Sequence, residues 1–156
     1  MRQRGRGFSL IELLAVMAIL GVLAAAALPM AELVRTREQE RELKQALWEV
    51  RAAIDAYKRA YDDGSSARSG PASGYPASLS ALVEGQQRAN PGLGAAYFLR
   101  RVPRDPFAPE ALPAQDSWGL RSYESPPDRP RPGGDVYDVY SKSDRVGLNG
   151  VPLRQW

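Results

Sequence analysis

The sequence predicts an α+β protein: one long N-terminal α-helix, its first half transmembrane and its second half amphipathic, packed on a small antiparallel β-sheet head. Three observations lead there. Between Phe8 and Ala31 the only ionisable side chain is Glu12, and 24 residues at about 1.5 Å each reach about 36 Å, enough to cross a hydrocarbon core of roughly 30 Å. No turn signal follows until Asp62-Asp63-Gly64, and Leu43, Leu47, Val50, Ile54, Tyr57 and Tyr61 recur three or four residues apart, on one face of a helix. The last third breaks into short strand-like stretches separated by Gly and Pro.

Glu12 is the anomaly of the apolar run. A charged side chain in hydrocarbon costs about 2.5–3.5 kcal/mol or more by insertion scales, so something must offset it. The nearest candidate is a new α-amino group, created if the chain is cut after Gly7 so that Phe8 becomes the first residue. Arg2, Arg4 and Arg6 precede the run with no acidic residue among them, so the N-terminus is expected to stay cytoplasmic and the rest of the chain to lie on the far side of the membrane.

Gly7-Phe8-Ser9-Leu10-Ile11-Glu12-Leu13-Leu14 resembles the class III signal of type IV pilins and type II secretion pseudopilins: a short basic leader, Gly before the cut, Phe after it, and a glutamate four residues further on. In that family a membrane peptidase removes the leader and methylates the new N-terminus, and the glutamate pairs with an N-terminal ammonium during filament assembly. The resemblance therefore implies cleavage between Gly7 and Phe8, N-methylation of Phe8 and an assembly role for Glu12. It also implies that Gly21 and Pro29 flank a segment able to lose helicity in the filament. On chemistry alone Pro29 removes a backbone donor and Gly21 lowers helix propensity by roughly 1 kcal/mol relative to Ala, which also reads as a simple kink.

Competing readings of the run are an ordinary secretory signal cut after Ala24-Ala25-Ala26, an uncleaved signal anchor, and a buried core helix. The first gives no reason for Glu12 or the Gly-Phe junction. The second rests on apolar length alone. The third fits a 24-residue run less well than a membrane does.

Composition narrows the function classes. Lys and Arg number 21 against 18 Asp and Glu, a net charge of +3; the leader's three arginines account for the excess, so the mature side chains balance. A nucleic-acid surface would need a clustered basic excess, and none is expected. The chain has no Cys and no His, which removes disulfides, thiolate nucleophiles, the usual zinc ligands and the commonest general base. Enzyme activity is not expected.

The expected organisation is a leader over 1–7, a transmembrane and assembly helix over 8–31, and a periplasmic head over 32–156 that includes an amphipathic helix over 32–63. Continuous helix over 8–63 would be about 84 Å long. Glu40 with Lys44 and Asp55 with Arg59 are spaced for ion pairs worth about 0.2–0.5 kcal/mol each, too little to hold the helix without a partner surface. Residues 64–74, rich in Gly, Ser and Pro, read as a mobile connection. Tyr75-Pro76 leads into a short helix over 77–85 with Leu79, Leu82 and Val83 on one side and Gly85 as a stop. Residues 121–124 and 135–141 are strand candidates in a sheet of about three strands, and the Pro-rich 125–134 is a surface loop.

The head resembles major, G-type pseudopilins, which carry a similar Tyr-Pro before a short helix and a similar stretch to Tyr97-Phe98-Leu99-Arg100-Arg101-Val102-Pro103-Arg104-Asp105-Pro106-Phe107. In those relatives an acidic, Gly-rich loop after the last strand binds calcium. Here the loop keeps Asp144 as its one carboxylate, with Asn149 as a further oxygen and Lys142 and Arg145 as repulsive neighbours. Calcium prefers six to eight oxygens, so Asp144 and Asn149 are weak candidate ligands. No cofactor is expected, calcium is disfavoured, and the loop is expected to close by packing of Leu148, Val151 and Trp156.

The resemblance implies a structural subunit of a type II secretion pseudopilus. Its partners would be further copies of itself, other pseudopilins, prepilin peptidase, an inner-membrane assembly platform and membrane lipid. A type IV pilin or minor pilin for adhesion, motility or DNA uptake is the alternative, and a monomeric membrane-anchored binding module is a third class. The absence of Cys favours a pseudopilin, because the C-terminal region of many type IV pilins is closed by a disulfide.

Overall fold

A computed structural model describes residues 9–67 and 70–156. It has one long helix and small antiparallel sheets, the α+β arrangement expected. Two compact units divide the chain, Met1–Glu38 and Gln39–Trp156.

Helix α1 runs Leu10–Asp62. Ser9 precedes it, and the Ser9 carbonyl accepts the Leu13 N–H at 3.1 Å. The backbone is helical through Gly21 and Pro29 without a break. At the far end Gly64 takes a left-handed φ of +71°, a common helix stop that spares a side chain the strain. Hydrogen bonds from Ser65 hold the Asp63 carboxyl below the usual carboxylate range.

In the second unit Leu43, Leu47, Val50, Ile54 and Tyr57 are buried on one face of α1, joined by Ala46 and Ala53. The spacing of the apolar residues had indicated this face, and Tyr61 at its end is half-buried. The expected ion pairs at i,i+4 do not form. Glu40 and Lys44 reach toward the C-terminal segment instead, and Arg59 donates to the Asp55 main-chain carbonyl at 3.2 Å. Lys58 and Asp62 make such a pair.

Helix α2, Ser80–Glu84, is a shorter version of the helix expected over 77–85 and stops at Gly85, whose φ is +83°. Strands β1 (Gln86–Gln87) and β2 (Ala95–Ala96) form one antiparallel ladder, and β3 (Trp118–Arg121) and β4 (Asp138–Ser141) the other. Two two-stranded ladders thus stand where one three-stranded sheet was expected. The reason lies at residues 97–99, where the Phe98 and Leu99 N–H groups both donate to the Leu82 carbonyl at 3.0 Å. The chain there is tied to α2, and its donors are spent before a strand partner can use them.

The strand candidates shift for the same kind of reason. Residues 122–124 leave β3 because Ser122 donates to the Arg131 carbonyl and Tyr123 to the Asp135 carboxylate. Val136 donates to the Pro76 carbonyl at 2.8 Å, so β4 begins only at Asp138. In the β3–β4 register Trp118 faces Ser141 and Leu120 faces Val139, and Trp118 and Val139 enter the core. The next pair sets Gly119 against Tyr140. A Cβ on Gly119 would meet the Tyr140 ring at 2.4 Å, so only glycine lets that ring lie across the strand. Residues 125–134 stay outside both ladders, largely exposed.

Residues 64–67 and 70–74 are not the loose connection their composition suggests. Ser66 is buried and bridges to Arg88, the Ala67 N–H donates to Gln87 at 2.7 Å, and Gly74 lies against the Tyr61 ring. The small residues here serve close packing as well as turning.

Candidate functional site

The first unit carries the features that the sequence singled out for processing and assembly. Gly7 and Phe8 lie outside the described residues. Glu12 sits in the first turn of α1 and is exposed, as are Leu10, Ile11, Leu13 and Leu14 around it. The favourable field of a helix N-terminus stabilises a carboxylate by about 0.3–1 kcal/mol, several-fold less than the roughly 2.5–3.5 kcal/mol that hydrocarbon costs it. No cation among the described residues pairs with it.

α1 is long and apolar enough to cross a membrane, and the apolar window within it is unburied in the protein. Ile19, Leu20, Val22 and Leu23 expose more than half of their surface. Nothing lies within 4 Å of a Cβ added at Gly21, so this glycine is not required by packing inside the chain.

The C-terminal loop does not bring Asp144 and Asn149 together as ligands. Asp144 pairs with Arg154, and the Asn149 side-chain oxygen accepts the Val151 N–H at 3.0 Å. No cluster of three or more Asp, Glu, His or Cys stands among the described residues. With one exposed carboxylate already paired to a guanidinium, these residues do not fit a calcium site.

The packing expected to close the loop holds for Trp156, which is partly buried against the core, and differs for the other two residues. Leu148 is 51 % exposed and Val151 38 %, whereas Leu153, at 1 %, enters the core from a 3-10 turn over Leu153–Gln155. A local hairpin-like turn explains the exchange: Gly147 donates to the Val151 carbonyl and Leu153 to the Arg145 carbonyl. Residues 148–151 thereby become the tip of the turn, and Leu153 lies at its base.

Two head residues with decisive contacts were not assigned roles by sequence reasoning. Asp105 is fully buried. Its carboxylate accepts the Ser141 hydroxyl at 2.6 Å and the Phe107 N–H at 2.8 Å, and its own N–H donates to the Ser117 hydroxyl at 3.1 Å. It thus fastens the start of β3 to the end of β4. Arg51 joins α1 to β4 and to the tail through three hydrogen bonds. An acid between two prolines, and an arginine beside a core stripe, were the available signals.

A family model described as the prokaryotic N-terminal methylation motif matches residues 2–28. No curated protein and no solved structure matches the chain significantly. The motif and the long apolar N-terminal helix fit a type IV pilin-like protein. This class III signal implies processing by prepilin peptidase and filament assembly, is consistent with anchoring in the inner membrane, and indicates a structural subunit rather than an enzyme.

Proposed function

We propose that the chain is a major, G-type pseudopilin of a type II secretion system. Residues 1–7 are its leader, 8–31 its inner-membrane and assembly helix, and 32–156 its periplasmic head. Prepilin peptidase cuts between Gly7 and Phe8 and methylates Phe8. The Glu12 carboxylate then pairs with an N-terminal ammonium as subunits stack by their helices into a short fibre that helps drive folded proteins through the outer membrane. Gly21 and Pro29 mark where that helix yields on assembly.

The observation that carries the pilin-like part is Glu12, the one ionisable side chain between Phe8 and Ala31, in the apolar part of a helix that begins inside a methylation motif. The pseudopilin part is supported by the likeness of the head, where Tyr75-Pro76 precedes a short helix, α2, and no disulfide is available.

Deleting the gene tests the assignment. The expected result is accumulation of folded exoproteins in the periplasm, restored to the medium by the wild-type gene. Normal secretion together with lost motility, adhesion or DNA uptake would instead identify a type IV pilin.

A further inference from the structure

The C-terminal loop is held to α1 by charged groups of the protein itself. Glu40, Lys44 and Arg51 stand at offsets that place them within about 40° of one another on the helix, along the rim of the buried stripe. Each reaches the tail or the strand before it. Glu40 is 9 % exposed, and its carboxylate accepts the Leu148 N–H at 2.7 Å. The Lys44 ammonium lies 4.5 Å from the centre of the Trp156 ring. Arg51 donates through Nε to the Asp138 carboxylate at 2.8 Å and through Nη2 to the main-chain oxygens of Val139 and Trp156 at 3.1 and 2.8 Å.

The three oxygens around Arg51 are one side-chain carboxylate oxygen and two main-chain oxygens, the donor types a hard metal cation takes. A planar guanidinium fork serves several such acceptors at once, and its charge is permanent. We propose that Arg51 is a built-in cation that closes the C-terminal loop onto α1, with Glu40 as the matching anion, so that closure of this head is independent of metal. Asp144 is then free to pair with Arg154, and the loop can carry Lys142 and Arg145 without loss. The inference concerns the head alone and stands whichever fibre the chain builds.

Hydrogen exchange of the full chain in detergent micelles, read by mass spectrometry over residues 142–156, tests it. Wild-type exchange should be the same in millimolar calcium and in excess chelator. Arg51→Met should speed exchange of this segment by about tenfold or more, because hydrogen bonds to a charged group are lost at the point of local opening. Arg51→Lys keeps the charge without the fork and serves if the methionine variant fails to fold. It should speed exchange by a smaller factor, and Glu40→Ala should do so more than Glu40→Gln, which retains an acceptor for Leu148. Faster wild-type exchange in chelator would assign the closure to a metal. Unchanged exchange in the foldable Arg51 variant would remove the guanidinium from it. Either result overturns the proposal.

Discussion

Processed protein carrying Glu12→Leu is expected to enter the membrane and fail to build fibres. Insertion should become easier, by less than the roughly 3 kcal/mol that separates a charged residue from leucine at the centre of a membrane helix, because Glu12 stands in the first turn. Assembly should suffer for the opposite reason. If Glu12 neutralises an N-terminal ammonium in a low-dielectric contact, its loss leaves that charge unpaired, at a cost of about 3–5 kcal/mol. Every 1.4 kcal/mol is about a factor of ten in association, so fibre formation should fall by roughly a hundredfold or more. Membrane extraction measures the first effect and the yield of sheared fibres the second. Normal yield from processed Glu12→Leu protein would rule out the pairing.

Trp118→Ala should destabilise the head more than any truncation on its surface. Trp118 is 1 % exposed, packs in the core cluster, and donates its indole N–H to the Pro103 carbonyl at 2.8 Å. Removing a buried tryptophan costs about 3–5 kcal/mol, and the part-buried Pro103 carbonyl also loses its donor. Against a typical total of about 5–15 kcal/mol, that is a large fraction. The expected fall in the head's melting temperature, followed by near-ultraviolet circular dichroism of the full chain, is roughly 10–20 °C. Trp118→Phe keeps most of the volume and should lose less. A drop of only a degree or two for the alanine variant would mean that the site collapses around the cavity or that Trp118 does not anchor β3 to the core.

What the sequence made legible follows from how local each signal is. The buried stripe from Leu43 to Tyr57 could be read because a helix fixes its own geometry, so a period of three to four residues names one face wherever the partner lies. Glu12 stood out because a lone carboxylate in an apolar run is costly in any membrane. The pairing of short strands was less legible, since Phe98 and Leu99 have strand-like side chains yet their N–H groups go to the end of α2. That choice depends on where α2 sits, which no window of sequence contains.

The tail shows the same limit. Leu148, Val151 and Leu153 are equivalent in composition, and only the turn closed by Gly147 and Val151 sends Leu153 inward. In the sequence Glu40 and Lys44 are spaced to pair with each other, and Arg51 falls on the same side of α1. Their alignment beside the apolar stripe, which Lys58 extends, is visible in the sequence. Its meaning as a contact row needs the tail to be in place.

The identity of the N-terminal residue of the membrane-anchored protein, and of protein sheared from the cell as fibres, tests the central claim most directly. Stepwise N-terminal sequencing with intact mass should give a chain that starts at N-methylated Phe8 and lacks residues 1–7. Replacing Gly7 by a bulky residue should leave the full-length precursor in the inner membrane, because the peptide must lie extended in a narrow peptidase site. A mature chain starting after Ala26, or wild-type protein that retains Met1 and an unmodified Phe8, would contradict the account.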